Sequence, residues 1–162
     1  MYAQYLEVKP SKTGNGTFTT VRIPSNVPVL EMAGKIVLDR DIIGNADNYL
    51  QVGVNTFLAP SGQAGDTINH SCDPNCKMHV VGNRAILYSL YVIPAGAQLT
   101  FDYSTTSTDT RDSWQMECKC GSNKCRGLIS GFQYLNQDLQ ESYLEKNMVP
   151  LYITQPGLMS RL

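Results

Sequence analysis

The stretch Asn69-His70-Ser71-Cys72-Asp73-Pro74-Asn75-Cys76 (NHSCDPNC) sets one histidine and two thiols within eight residues near the middle of a 162-residue chain. The other three cysteines, Cys118, Cys120 and Cys125, stand together in CKCGSNKC, where Gly121, Ser122 and Asn123 permit a sharp turn. Five thiols, unevenly placed, do not form a disulfide ladder. Clustered thiols without a secretion signal favour metal ligation, because intracellular thiols are normally kept reduced. Three ligands in one loop leave a tetrahedral zinc incomplete, so a fourth must come from Cys72, Cys76, His70 or His79. Cys72 is the choice. It ties NHSC to a loop more than forty residues later. Four protein ligands make the zinc structural, with no open position for an activated water, which disfavours metal-assisted hydrolysis. A redox or disulfide cluster is the competing reading, and Cys76 alone reads as a small buried hydrophobe.

Outward from this stretch, the chain has the size and the 42% hydrophobic content of one compact domain that buries its own core. With 13 Lys and Arg against 14 Asp and Glu, and no run of five or six like charges, neither direct nucleic-acid binding nor membrane-surface binding is suggested. The N-terminus, MYAQYLEVKP, lacks a basic region followed by an apolar one, and the longest apolar-looking stretch, Ala85 to Ile93, is too short to span a bilayer. The expectation is a soluble, intracellular protein.

Residues 1 to 103 read as short strands punctuated by Gly, Pro and Asn: YAQYLEV, GTFTTVRI, KIVL, YLQVGV, CKMHVV, AILYSLYVI and AQLTFDY. From Asn136 to Asn147, Leu139, Tyr143 and Leu144 recur at helical spacing after an Asn suited to an N-cap, and Pro150 lies beyond; this predicts one amphipathic helix.

GNG at 14–16, NHSCDPNC at 69–76 and LTFDY at 99–103, followed by CKCGSNKCRG at 118–127, together resemble the SET domain with its post-SET zinc motif, in the family's order and over roughly residues 8 to 130. The resemblance implies a mostly β fold with a little α, a β-clip of small curved sheets. The C-terminal part threads a loop as a pseudoknot, bringing NHSC beside FDY. It divides the chain into a SET domain (1–115), a post-SET zinc segment (116–130) and a C-terminal helical tail (131–162). It further implies a protein-lysine N-methyltransferase using S-adenosylmethionine, one structural zinc held by Cys72, Cys118, Cys120 and Cys125, and a protein or peptide substrate presenting a lysine.

Carried over residue by residue, Gly14, Asn15 and Gly16 resemble the turn that approaches the methionine end of the cofactor, where glycine permits close backbone approach. Asn69 and His70 resemble the pair that contacts the cofactor, His70 largely through backbone groups near the adenine. Leu128 stands where post-SET segments lay an apolar side chain over the adenine. Tyr103 matches the catalytic tyrosine. Phe101, two positions earlier on the same strand face, lines the same channel, where a phenylalanine is associated with room for higher methylation. Tyr49 resembles a further channel aromatic.

The chain also departs from the pattern. Glu31-Met32-Ala33-Gly34 puts Met where the family usually has an aromatic, Asp66-Thr67 replaces a common Arg-Phe, and Gln98 replaces a common Glu. Met32 is the best argument for the alternative, a catalytically weak or inactive SET-like module that binds S-adenosylmethionine or a peptide. A zinc store or redox sensor explains the thiols but leaves NHSC and LTFDY without purpose.

Overall fold

The computed structural model describes residues 1–108 and 114–156. Strands β1 (Leu6–Ser11) and β2 (Gly14–Thr19) form an antiparallel hairpin in register Ser11 to Gly14. The turn itself is therefore Lys12-Thr13, and Gly-Asn-Gly opens the returning strand instead of forming the bend.

A central sheet has the order β3-β9-β8, from β3 (Pro28–Glu31), β8 (Cys76–Val81) and β9 (Arg84–Ser89). Its inner face follows the two-residue period of a pleated strand: Cys76 and Met78 on β8, and Ala85, Leu87 and Ser89 on β9, are buried. A second sheet has the order β4-β6-β5, from β4 (Ile36–Leu38), β5 (Leu50–Gly53) and β6 (Thr56–Leu58). Val29, Val52, Met78, Leu87, Ile93 and Leu99 belong to one apolar cluster that joins the two sheets.

The pairing that matters most is short. β7 (Asn69–His70) runs parallel to β10 (Thr100–Phe101), the one parallel pair among the described strands. Asn75 completes the splice with its side chain: its Nδ2 donates to the Gln98 carbonyl (2.8 Å) and its Oδ1 accepts from the Thr100 N–H (2.9 Å). A side-chain amide here does the work of a peptide group, so NHSCDPNC and LTFDY are held together over a ladder of only two residues.

Beyond Tyr103, β11 (Gln115–Glu117) and β12 (Leu128–Ser130) pair antiparallel and frame the cysteine loop. Helix α1 (Gln137–Glu145) starts as expected, the Asn136 Oδ1 accepting from the Leu139 N–H at 2.9 Å, and the chain leaves it through Asn147 at φ 51°. A second helix, α2 (Leu151–Thr154), follows Pro150 and was not foreseen; the rest of the tail, 157–162, lies outside the described residues. Among the described residues no helix is long and apolar enough to cross a membrane.

Four strand expectations need correcting: GTFTTVRI and AILYSLYVI end as strands at Thr19 and Ser89. YAQYLEV opens with a 3-10 turn at Ala3–Tyr5, and AQLTFDY keeps a strand only at Thr100–Phe101. Tyr103 instead begins a 3-10 turn, Tyr103–Thr105, because the Asp102 carboxylate accepts from the Ser104 N–H and caps it.

Candidate active site

Tyr103 lies against two groups of residues and is tied through Ile68 to the start of a third. Its ring is 4.9 Å from that of Phe101 and 5.4 Å from that of His70, and its hydroxyl donates to the Ile68 carbonyl at 2.9 Å. Burial pushes its phenol up to about 12, against a backbone hydrogen bond from His70, so the hydroxyl remains a donor at neutral pH.

On one side lies a cavity of about 420 Å³ walled by Met32, Tyr49, Phe57, Phe101, Tyr103 and Trp114. Phe101 and Tyr103 share it as expected, though through the cap at Asp102 and not through one continuous strand. Tyr49 lies in the wall, its hydroxyl donating to the Ile43 carbonyl at 3.1 Å. Met32 occupies the same wall, its sulfur and terminal methyl packed toward Gly65. Trp114 and Phe57 carry no motif and escaped the sequence reading. Trp114 is positioned by its indole N–H, which donates to Asp47 at 2.8 Å across 67 residues of chain.

Next after Ile68, Asn69 reaches the Gly-Asn-Gly strand. Its Nδ2 donates to the Asn15 carbonyl (2.9 Å) and to the Ser11 hydroxyl (3.1 Å). Gly14 has φ 98°, a conformation that favours glycine, while Gly16 is required by space: a Cβ there would stand 2.3 Å from Gln98 Nε2 and 3.2 Å from Asn69 Nδ2. Gln98, a departure from the family pattern, is thus the side chain covering this glycine. Asp66, another departure, accepts from the Ser61 and Gly62 N–H groups (2.7 and 2.6 Å) and holds a loop that borders the cavity. Leu128, on β12, is 50% exposed and outside the cavity wall.

The remaining group is the thiol cluster. One donor atom each from His70, Cys72, Cys118 and Cys120 lies within 4.8 Å of the others. Cys72 and Cys118 Sγ are 3.6 Å apart, close to the ~3.8 Å edge of a tetrahedron built on Zn–S bonds of about 2.3 Å. Cys125 sits beside this set, its Sγ 3.6 Å from the Cys118 carbonyl. Burial raises the Cys72 and Cys118 thiols. Burial also works against Cys120, but hydrogen bonds from the Cys72 and Ser122 backbone, then from the Cys118 and Cys125 side chains, outweigh it and bring Cys120 down to about 7.

The His70 side chain, assigned to the cofactor largely through its backbone, is turned into this cluster. Its Nδ1 accepts from the Tyr103 N–H at 3.2 Å, which assigns the proton of the neutral ring to Nε2, 3.2 Å from Cys72 Sγ. Burial depresses its pKa to about 4, so the ring is neutral at physiological pH.

Sequence reasoning also passed over Asp102. Fully buried, it takes a bidentate pair of hydrogen bonds from Arg126 (2.6 and 2.8 Å) and one from the Tyr143 hydroxyl (2.7 Å). Burial alone would raise its carboxyl, but the Arg126 guanidinium outweighs that and holds it below the ordinary carboxylate range. The sequence signals were the Asp of LTFDY and the Arg of KCRG, but nothing in their spacing announces that they pair.

The family model described as the SET domain matches residues 14–104. The chain is 29% identical over 146 residues to a histone-lysine N-methyltransferase, H3 lysine-36 specific, of Chaetomium globosum, covering 80% of this chain and 16% of that protein. It is 30% identical over 136 residues to histone-lysine N-methyltransferase SETD2 of Homo sapiens, covering 74% of this chain and 5% of that protein. Its structure resembles that of Arabidopsis thaliana SUVH6 in complex with SAM, with TM-score 0.64 and 26% identity over 76% of this chain and 32% of that one. The chain therefore spans less than a fifth of the length of these two curated relatives.

Proposed function

The chain belongs to the SET-domain family, and from that premise we propose that it is a protein-lysine N-methyltransferase, with Tyr103 as the catalytic residue. The observation that carries the reading is the aromatic cavity at Tyr103, whose hydroxyl is tied to the carbonyl of Ile68, the residue before the Asn69 that contacts the Gly16 strand. The substrate is a lysine in a protein or peptide. Nearly balanced charge supports this over a nucleic-acid partner, and clustered free thiols accord with a reducing, intracellular setting.

S-adenosylmethionine, when bound, supplies an electrophilic methyl group on a sulfonium. The residues present fit it. Gly16 brings bare strand backbone against the side chains of Gln98 and Asn69, and Gly14, Asn15, His70, Tyr103 and Leu128 complete the proposed set. What the chain itself must do is align, dehydrate and neutralise the acceptor. With a pKa of about 10.4, only roughly one lysine in a thousand is neutral near pH 7.4. The apolar walls given by Tyr49, Phe101 and Tyr103 disfavour the ammonium, while their ring faces offset part of that cost, and the proton leaves to solvent. The Tyr103 oxygen and the Ile68 carbonyl to which it donates are the polar atoms fixed at this point of the wall, suited to weak C–H contacts with a methyl group.

We assign one zinc to Cys72, Cys118, Cys120 and Cys125. The soft donor set fits it, and the His70 proton on Nε2 makes that ring a donor to the Cys72 sulfur instead of a ligand, leaving Cys125 to close the tetrahedron. The metal would be structural, stitching β7 to the β11–β12 hairpin.

Mass spectrometry of a peptide panel incubated with S-adenosylmethionine tests the reading. Methyl-lysine formed by the wild type and lost in Tyr103→Phe is the expected result. Cofactor binding without Tyr103-dependent methylation would instead support the inactive binding module, for which Met32 in the cavity wall is the one favouring observation.

A further inference from the structure

The family match ends at residue 104, yet the turn carrying Tyr103 is held by groups from far beyond it. Asp102 caps that turn, and the Tyr143 hydroxyl of α1 donates to the Asp102 carboxylate. From α2, the Tyr152 hydroxyl lies 2.7 Å from the Thr106 carbonyl and 2.9 Å from the Gln51 carbonyl, sharing its one proton between the end of the turn and strand β5. Gln51 adds a second clasp, its Oε1 accepting from the Thr108 N–H at 2.9 Å. Both tyrosines are buried, 4% and 3% exposed, and burial raises both phenols, so the hydroxyls stay protonated and able to donate.

Neither tyrosine lines the cavity. The Tyr143 ring itself packs in the tail's apolar cluster with Phe132, Leu135 and Met148, but phenylalanine would serve that packing as well, so the hydroxyls are what apolar cover does not require. Two hydroxyls from two helices converge on the two ends of one five-residue turn, and Tyr103 lies inside it.

We propose that the C-terminal helical pair is a positioning element for Tyr103: Tyr143 acting through Asp102, and Tyr152 acting through Thr106, hold the turn so that the Tyr103 phenol keeps its place between Phe101 and the Ile68 carbonyl. The role is one of positioning, since neither residue touches the reacting atoms, and it rests on the assignment of Tyr103 as catalytic.

The test uses the full chain with Tyr143→Phe, Tyr152→Phe and the double variant, read by amide hydrogen exchange and by methyl-transfer kinetics. Phenylalanine preserves the packing and removes only the hydroxyl. In the double variant the amides of Tyr103, Ser104, Thr105 and Thr106 should exchange about tenfold faster while those of the β8–β9 hairpin hold their rates, because the opening is local. In the same variant kcat should fall about tenfold with peptide KM and cofactor affinity changed less than about twofold. Equal acceleration at the turn and in β8–β9 would reduce the tyrosines to general stability and overturn the proposal; so would faster exchange at the turn with kcat unchanged. A wild type inactive on every substrate would defeat the methyltransferase reading, and with it the catalytic part of this proposal, while unchanged exchange at the turn would defeat the proposal alone.

Discussion

On the proposed reading, the single hydroxyl of Tyr103 separates an enzyme from a binding surface. The Tyr103→Phe variant keeps the ring contacts with Phe101 and His70 and loses the phenol's hydrogen bonds, to the Ile68 carbonyl and from the His70 backbone. Turnover is expected to drop about a hundredfold, some 2.7 kcal/mol of transition-state stabilisation, with cofactor affinity retained in calorimetry. Loss of affinity in parallel with turnover would assign the residue to binding instead. Asp102 makes a complementary prediction about stability. Replacing it by Asn leaves the largely buried Arg126 guanidinium without its counter-charge, which should destabilise the fold by about 3 kcal/mol in urea titration. The carboxyl's folded pKa lies below its unfolded one, so the native chain gains stability from it above the unfolded value, near 3.9, and loses that gain as pH falls further. Asp102→Asn should therefore flatten the acid limb of a plot of stability against pH; an unchanged limb would remove Asp102 from it.

The elements explain why glycine and cysteine recur where they do. β2 can lie against β7 because residue 16 has no side chain. In Gly16→Ala the new Cβ meets the flexible end of Gln98 and the Asn69 amide, so the fold should survive while cofactor affinity falls by about tenfold as these side chains are displaced. Unchanged affinity would move the cofactor away from this contact. The thiol loop makes the second prediction at this scale. Metal analysis should find one zinc per chain, and chelation should loosen the β11–β12 hairpin and weaken cofactor binding together, because the same cysteines join that hairpin to the strand bearing Asn69. Zinc released with no change in cofactor affinity would mark a metal store. Replacing His70 by Gln should leave the zinc in place, whereas Cys120→Ser should not.

Across the whole molecule, sheets of two or three strands are stapled by side chains more than by long ladders. Asn75 splices the two motif strands, Gln51 clasps β5 to the segment after Tyr103, and Tyr152 fastens α2 to both. The cavity collects residues from 32 to 114, so its shape belongs to no single segment.

Most of the strands, the N-cap at Asn136 and the motifs that hold the candidates Asn69, Cys72, Phe101 and Tyr103 were legible in the sequence because their signals are local: a two-residue period, a capping side chain, or a short motif whose members lie a few positions apart. Hidden were the contacts made by residues distant in the chain. The turn under Tyr103 depends on an Asp cap, the Trp114 wall on Asp47, the fate of His70 on the amide of Tyr103, and the burial of Asp102 on Arg126 and Tyr143. By itself the sequence determined the family and which reactive side chains the chain has to offer, since residue types and short spacings are written along it. The tertiary structure alone decided which of those groups meet, because hydrogen bonds and ion pairs across tens of residues form only after the apolar faces of several small sheets have been buried together.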